Sequence, residues 1–183
     1  MQLIILDRDG VINEDSDAFI KSVDEWHALP GSLEAIARLT QAHYQIIVVT
    51  NQSGIARGLF DLEALQQIHT RMQRELASLG GRIDAIYFCP HGPDDDCHCR
   101  KPKAGMLRDL AKRLNINLEG VPAVGDSLRD LQAAQSVFAR PILVRTGKGL
   151  KTERELRGRD GLDDCEIFDD LTTVVDQLLG EAV

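Results

Sequence analysis

The chain has 183 residues, of which 43% are hydrophobic and 27% charged, and its formal net charge is −8 at pH 7. This length accommodates one compact domain with a full core and is short for two. Only 4% of the residues are aromatic, and the negative charge disfavours a phosphate backbone, so we expect no nucleic-acid partner.

The chain begins with a short apolar run, Leu3–Leu6, which Asp7 ends. The run has no basic flank and is too short for a signal peptide or a membrane span. Three of the four cysteines fall within residues 89–99. In a reducing compartment such clustering is more typical of a metal site than of a disulfide framework. We therefore expect a cytoplasmic protein with no membrane partner.

Short apolar runs alternate with amphipathic stretches along the rest of the chain. Continuous β-branched runs are typical of strands that are buried on both faces of a parallel sheet. The predicted strands are Gln2–Leu6, Gln45–Thr50, Ala85–Cys89, Val121–Gly125, Pro141–Val144 and Glu166–Phe168. Apolar residues at helical spacing predict helices within residues 33–42, 62–79, 106–114, 128–134 and 171–178.

This strand–helix alternation predicts an α/β fold with a single doubly wound parallel sheet, in one domain that spans residues 1–183. The charged, glycine-containing stretch 148–164 is predicted to be a surface segment with at most a short helix. Arg145 and Lys148 are interpreted as surface residues, because the stretch RTGKG (145–149) lacks the spacing of a nucleotide-binding loop.

Polar residues follow four of the predicted strands, where an open α/β sheet binds its ligands. Because the carboxyl ends of parallel strands share one edge of the sheet, we expect these residues to converge. They are Asp7-Arg8-Asp9-Gly10 after the first strand, Thr50-Asn51-Gln52-Ser53 after the second, a Cys/His cluster with Arg100-Lys101 after the third, and Gly125-Asp126-Ser127 with Asp130 after the fourth.

These residue types suit phosphoryl transfer. Asp7 and Asp9 are two apart, so in an extended segment their carboxylates point the same way and repel each other unless a cation intervenes. With Asp126 they form an oxygen ligand set that suits Mg²⁺. One carboxylate could attack phosphorus and the other protonate the leaving oxygen. Thr50 and Asn51 would donate to the phosphoryl group, and Lys101 would neutralise its charge.

Each motif alone has a more ordinary interpretation. An Asp-X-Asp sequence is usually a solvated turn, Thr-Asn after a strand is usually a helix cap, and Gly-Asp-Ser is usually a turn. Their joint occurrence at successive strand ends favours a shared site.

The motifs Asp7-X-Asp9-Gly10-Val11, Thr50-Asn51, Lys101 and Gly125-Asp126-Ser127 with Asp130 resemble the four motifs of the haloacid dehalogenase superfamily. The resemblance covers nearly the whole chain. It implies a Rossmann-like fold and magnesium-dependent phosphoryl transfer through an aspartyl-phosphate. It also implies that Asp7 is the nucleophile, that Asp9 is the general acid and base, and that Thr50 and Lys101 stabilise the phosphoryl group. Mg²⁺ would be held by Asp7, the main-chain carbonyl of Asp9, and Asp126.

The pairs Cys89-X-His91 and Cys97-X-Cys99 supply four ligands for a tetrahedral, structural Zn²⁺. A disulfide between Cys97 and Cys99 would close a strained ring, and merely buried or reactive cysteines are the less favoured alternative. His98 could replace a neighbouring ligand, but its side chain is expected to point away. A zinc-bound loop would be rigid and would position Arg100 and Lys101 for phosphate.

The zinc loop, with TNQSGIARG (50–58) and CRKP (99–102), resembles the branch of the superfamily that hydrolyses small phosphorylated sugars. The short spacings 10–30 and 51–89 leave no room for a large cap domain. We expect a monomer that acts on a phosphorylated sugar. The resemblance implies substrate contacts at Asp15, Ser16, Asp17, Ala18, Asn51, Gln52, Ser53, Arg100 and Ser127.

Three alternatives stay open at this point. Histidinol-phosphate phosphatases share the Cys/His loop, although the segment SGIARG (53–58) favours the sugar substrate. A phospho-receiver domain also places Asp, Thr and Lys at strand ends, but its phosphorylated Asp belongs to a later strand. A zinc-stabilised binding module without catalysis is the third.

Overall fold

In a computed structural model, which describes residues 2–156, 162 and 165–180, six parallel strands form one sheet. The strand order is β3-β2-β1-β4-β5-β6, and all five neighbouring pairs are parallel. The strands are β1 (Gln2–Leu6), β2 (Tyr44–Asn51), β3 (Ala85–Cys89), β4 (Pro122–Gly125), β5 (Arg140–Val144) and β6 (Glu166–Phe168). The six predicted strands are confirmed, with bounds that differ by one residue at most.

Helices cross between successive strands, and their ends carry local signals. The carboxylate of Asp61 accepts a hydrogen bond from the Ala64 N–H at the start of the second helix, and Gly180, with φ of 69°, ends the last. The helices are α1 (Ser32–Gln41), α2 (Leu62–Ser78), α3 (Gly105–Leu114), α4 (Leu128–Gln135), α5 (Gly149–Leu156) and α6 (Leu171–Leu179).

The sheet is covered on both faces, which confirms the doubly wound α/β fold. Side chains alternate along β1: Ile4 and Leu6 pack with α1, α2 and α6, whereas Leu3 and Ile5 pack with α3 and α4. Because both faces are buried, the strands contain continuous apolar runs, such as Leu3–Leu6 in β1 and Ile46–Val49 in β2.

The chain order of the strands reverses at β1. Strands β2 and β3 extend the sheet on one side of β1, and β4, β5 and β6 extend it on the other. The carboxyl ends of β1 and β4 therefore flank the crevice where such sheets bind ligands. The Asp7 N–H donates to the Val124 carbonyl at 2.9 Å, which ties the two strand ends together.

The described chain carries no large cap domain, as expected. Between β1 and α1 it forms a loop with one short 3₁₀ helix, Val23–Glu25. The predicted surface stretch 148–164 begins with α5, and its residues 157–161 and 163–164 lie outside the described part. No helix of the described chain has the length and apolar composition that a bilayer span requires.

Candidate active site

The loop after β1 holds Asp7 and Asp9 through different partners. Asp7 Oδ1 accepts the Arg8 N–H at 2.8 Å and lies 3.0 Å from the Lys101 ammonium. The Asp9 carboxylate accepts from the buried Arg8 guanidinium, at 2.8 Å for the closest nitrogen, and from Asn13 at 2.9 Å. Both aspartates follow the end of β1 in a turn, and both line one cavity, of about 60 Å³.

Arg8 is a fully buried charge that the sequence analysis left without a role. Its guanidinium lies between the Asp9 carboxylate and the ring of His69, whose Nε2 is 3.2 Å away. Burial, reinforced by the charge of Arg8, lowers the pKa of His69 to about 4. His69 is therefore neutral near pH 7, and its ring nitrogen can accept the Arg8 hydrogen bond.

Residues at the carboxyl end of β2, together with Gln52, connect the acidic loop to Lys101. The Gln52 amide donates to Asp9 Oδ2 at 2.9 Å and to the Thr50 hydroxyl oxygen at 3.0 Å. The Asn51 side chain exchanges two hydrogen bonds with the main chain of Lys101, at 3.0 and 3.1 Å. The Asn51 amide, predicted to face the phosphoryl group, thus also positions Lys101.

Lys101 lies buried between two carboxylates. Its ammonium is 3.0 Å from Asp7 and 2.6 Å from Asp130, and it donates to the Val49 carbonyl at 2.7 Å. Burial opposes its charge, but the nearby carboxylates of Asp130 and Asp7 outweigh that effect and raise its pKa. Lys101 is therefore a fixed positive charge beside Asp7.

Asp7, Asp126 and Asp130 present carboxylate oxygens within 4.8 Å of one another. Burial raises the pKa of Asp7 to about 7, against the opposing charge of Lys101. Burial and the charges of Asp130 and Asp7 raise the pKa of Asp126 to about 8. The cluster thus disfavours its own ionisation, and a hard divalent cation bound to the oxygens would relieve the repulsion. These residues fit Mg²⁺.

Gly10 makes room for this cluster. With φ of 83° it adopts a backbone conformation that other residues rarely adopt, and a Cβ at this position would overlap the Asp126 carboxylate. Any larger residue here would displace the carboxylate from the crevice between β1 and β4.

Cys89, His91, Cys97 and Cys99 form a second cluster, at the end of β3. The sulfur of Cys89 lies 3.7 Å from that of Cys97, 3.5 Å from His91 Nδ1 and slightly closer, 3.1 Å, to that of Cys99. A tetrahedral zinc with bonds of about 2.3 Å to sulfur and 2.0 Å to nitrogen places its donors roughly 3.5–3.8 Å apart. All four cysteines of the chain are free thiols, so this donor set fits Zn²⁺.

The Cys/His loop borders the site from the β3 side and carries basic residues into it. Arg100 directly follows Cys99, and its guanidinium donates to the His91 carbonyl at 3.3 Å. His98 is exposed and does not belong to the four-residue cluster. The loop therefore links the cluster of soft ligands to Arg100 and Lys101 within two residues.

A pocket of about 250 Å³ adjoins the acidic cavity. Among the predicted substrate residues, Ser127 lines the acidic cavity, where its hydroxyl donates to Asp130 at 2.6 Å. Ala18 lines neither cavity. The pocket is lined by predicted residues Asp15, Ser16, Asp17, Asn51, Gln52, Ser53 and Arg100, and by unpredicted residues Phe19, Arg57, Arg129 and Lys148.

Three guanidinium groups meet at this pocket. Burial and the charges of Arg129 and Arg57 lower the pKa of Arg100, so each of these two groups is close enough to Arg100 to repel it. Arg57 lies over the Phe19 ring, 5.5 Å from its centroid. None of the three arginines forms an ion pair with a carboxylate in residues 2–156, 162 and 165–180. This arrangement suits an anionic ligand group.

A larger open groove of about 740 Å³ runs along α2 from Glu63 to Glu75 and is also lined by Val23 of the 3₁₀ helix. It contains none of the strand-end carboxylates and neither of the two metal-ligand clusters. Volume alone therefore does not locate the chemistry of this protein, whereas the converging charged groups do.

Comparisons with known proteins agree with this geometry. Residues 98–174 match the HAD-hydrolase-like family. A Bordetella bronchiseptica protein named D-glycero-beta-D-manno-heptose-1,7-bisphosphate 7-phosphatase is 61% identical over 182 residues, 100% of both chains. A Pseudomonas aeruginosa protein of the same name is 52% identical over 97% of both chains.

Solved structures give the same result. The crystal structure of D,D-heptose 1,7-bisphosphate phosphatase from B. bronchiseptica, complexed with magnesium and phosphate, superposes with a TM-score of 0.95 at 60% identity and covers 100% of both chains. The corresponding enzyme from Burkholderia thailandensis has a TM-score of 0.76 at 44% identity, covering 99% of this chain and 100% of its own.

Proposed function

The chain belongs to the D-glycero-beta-D-manno-heptose-1,7-bisphosphate 7-phosphatases, which are haloacid dehalogenase-like hydrolases, and we propose that it removes the 7-phosphate of that sugar. The observation that carries the catalytic assignment is the convergence of Asp7, Asp126 and Lys101 at the ends of β1, β4 and the loop after β3. The substrate assignment is supported by the full-length relatives.

In the first step, an Asp7 carboxylate oxygen attacks the phosphorus of the 7-phosphate, and the bond from phosphorus to the sugar oxygen breaks. Asp9 protonates that oxygen as it leaves. The Arg8 N–H and the Lys101 ammonium hold Asp7 Oδ1 and so fix the orientation of the nucleophile. Asp7, Asp126 and the Asp9 carbonyl would hold Mg²⁺, which would supply the positive charge that lets two anions approach.

In the second step, Asp9 accepts a proton from water, the water oxygen bonds to phosphorus, and the bond from Asp7 to phosphorus breaks. Free phosphate and the Asp7 carboxylate result. Although burial favours protonated Asp9, the charge of Arg8 and hydrogen bonds from Asn13, Arg8 and Gln52 lower its pKa, which favours the base. A phosphate dianion nearby raises the pKa of a carboxyl group and so favours the acid in the first step.

Thr50 and Lys101 stabilise the phosphoryl group during both steps. The Thr50 hydroxyl is buried, and its oxygen accepts a hydrogen bond from the Gln52 amide, so its own proton is available for a phosphoryl oxygen. The Lys101 ammonium neutralises charge on the equatorial oxygens.

The pocket arginines support a bisphosphate over the alternative substrate. Arg57, Arg100 and Arg129 would bind the phosphate that remains on the sugar. The further substrate residues of the proposal are Asp15, Ser16, Asp17, Asn51, Gln52, Ser53 and Ser127, which line the two cavities, and Ala18, which lines neither. Histidinol phosphate carries a cationic amine, which three guanidinium groups with no carboxylate partner among the described residues would repel.

We propose that Cys89, His91, Cys97 and Cys99 bind a structural zinc ion. All four positions of a tetrahedron would be filled by protein, so this ion would take no part in the chemistry. Its effect would be to stiffen the loop that presents Arg100 and Lys101.

Residues 1–183 form one catalytic domain in this proposal, and the enzyme acts as a monomer in the cytoplasm. Thiolate metal ligands suit a reducing compartment. The product, heptose 1-phosphate, would serve ADP-heptose formation for the lipopolysaccharide core.

Phosphate release from heptose 1,7-bisphosphate and from histidinol phosphate, measured in competition with Mg²⁺ present, tests the proposal. We expect the heptose bisphosphate to be hydrolysed faster, and faster hydrolysis of histidinol phosphate would reverse the assignment. Stable phosphorylation of Asp7 without release of phosphate would instead indicate a receiver domain.

A further inference from the structure

The loop after β5, residues 145–149, connects the two acidic loops of the site. The Thr146 hydroxyl donates to the Gly10 carbonyl at 2.6 Å, and the Lys148 N–H donates to Asp126 Oδ2 at 2.7 Å. Gly147, with φ of 56°, passes so close that a Cβ would overlap Asp126 and Gly10. The backbone of this loop is therefore fixed at both acidic loops.

The outer end of the loop is held as well. Arg145 pairs with Glu153 on α5 at 2.8 Å and with Asp169 after β6 at 2.7 Å. The Thr152 hydroxyl donates to the Asp126 carbonyl at 2.8 Å. Because the backbone on either side of Lys148 is anchored, the base of its side chain has one position relative to the cluster.

The Lys148 side chain extends from this loop across the mouth of the acidic cavity. Its ammonium lies 2.9 Å from Asp15 Oδ2, and Lys148 lines both the acidic cavity and the adjoining pocket. The Asp15 side chain is partly buried, at 18% exposure, whereas that of Lys148 is 42% exposed. The Ser16 N–H holds the other Asp15 oxygen at 2.9 Å.

We propose that Lys148 and Asp15 together bind hydroxyl groups of the substrate next to the phosphate that is removed. The inference rests on the proposed phosphatase function and adds Lys148 to the residues that determine specificity. An ammonium with three protons and a carboxylate with free lone pairs, side by side, can donate to one hydroxyl and accept from its neighbour.

The opposite charges of Lys148 and Asp15 make the pair a better site for hydroxyl groups than for an anion. Asp15 neutralises Lys148, so the pair attracts a second phosphate weakly. Arg57, Arg100 and Arg129, which also line the pocket, form no ion pair with a carboxylate in the described part of the chain and are the better anion site. The Lys148–Asp15 pair and the arginines therefore suit the two chemical parts of a phosphorylated sugar.

A matched pair of substrates isolates the hydroxyl groups: a hexitol 6-phosphate and n-hexyl phosphate, which have the same chain length. We expect Lys148→Met to lower the ratio of kcat/KM for the hexitol ester over the hexyl ester about tenfold, the effect of one hydrogen bond to a charged group at a partly exposed site. The loss should appear mainly in KM for the hexitol ester.

Lys151→Met is the control, because Lys151 lies one helical turn away, is 80% exposed and pairs with Glu155 outside both cavities. This variant should keep the wild-type ratio. Asp15→Asn leaves the 145–149 backbone untouched and should lower the ratio similarly, and the double variant should lower it little further if the pair acts as one unit.

An unchanged ratio in Lys148→Met and Asp15→Asn would overturn the inference. So would equal losses on both esters, since that result would indicate a structural role for the loop. If the wild-type protein fails to prefer heptose bisphosphate over histidinol phosphate while the hexitol ratio still falls, the substrate assignment fails and the role of Lys148 stands.

Discussion

The ammonium of Lys101 lies 2.6 Å from the carboxylate of Asp130, and both side chains are more than 90% buried. Asp130 stands at the first turn of α4, where its other oxygen accepts the Ser127 N–H and hydroxyl. The pair thus connects the loop after β3 to the start of α4, across the end of β1. It fixes the cation that faces the Asp7 nucleophile.

Replacing Asp130 by Asn should destabilise the protein and slow its turnover. The substitution keeps the shape of the side chain but leaves buried Lys101 with Asp7 as its remaining counter-charge. We expect the free energy of unfolding to fall by about 2–4 kcal/mol and kcat to fall at least about tenfold because Lys101 is held less firmly. Urea unfolding and phosphate release measure the two effects. Asp109→Asn, on the exposed side of α3, is the control and should change neither quantity.

Magnesium should stabilise the protein more at pH 8 than at pH 5. The folded-state pKa values of Asp7 and Asp126, about 7 and about 8, lie above the usual 3.8. The stability that their protonated forms contribute is therefore present at low pH and is lost as pH rises through 4 to 8. Bound Mg²⁺ compensates for this loss only where the carboxylates ionise. Melting temperatures with and without Mg²⁺ at both pH values test this, and an equal or larger increment at pH 5 would contradict it.

Cys97→Ser should lower zinc content and stability before it affects the chemical step. Loss of one of four ligands weakens a structural zinc site, and we expect the melting temperature to fall by roughly 5 °C or more. Cys165→Ser removes a thiol outside the cluster and is the control. Zinc content and melting temperature are measured on the same samples. If both variants retain the wild-type zinc content and melting temperature, the zinc site is refuted.

Arg129→Gln should reduce the preference for bisphosphates. Removing one of three clustered guanidinium groups weakens the binding of a second phosphate, so kcat/KM for heptose 1,7-bisphosphate should fall about tenfold relative to a hexitol monophosphate. Arg108→Gln, on the exposed side of α3, should leave the ratio unchanged. A parallel loss on both substrates would place Arg129 outside the second phosphate site.

The meeting of Asp7, Thr50, Lys101 and Asp126 could be predicted from sequence because the apolar strands end where the polar residues begin. Once the strands are parallel, their carboxyl ends share one edge, and no further structural knowledge is needed. The metal-binding chemistry of the Cys/His loop could also be predicted from sequence, because the type and spacing of its ligands indicate it.

Other site residues could not be found this way. Lys148 belongs to a charged, glycine-containing stretch that is typical of a surface, and its place depends on the close approach of Gly147 to Asp126. Arg8 occupies the variable position of the Asp-X-Asp motif, and nothing in the sequence indicates that His69, on α2, packs against it. Asp130 could be assigned to a motif from sequence, but its contact with Lys101 could not be predicted, because that contact depends on how α4 packs against the loop after β3.

The covalent step at Asp7 can be tested by rapid acid quench during a single turnover of heptose 1,7-bisphosphate, followed by borohydride reduction and peptide mass spectrometry. Borohydride reduces an aspartyl-phosphate to homoserine, so we expect homoserine at position 7 in the wild-type protein, none at position 7 in Asp7→Asn, and none when the substrate is omitted. Homoserine at a different aspartate, or complete phosphate release with position 7 unreduced at every quench time, would contradict phosphoryl transfer through Asp7.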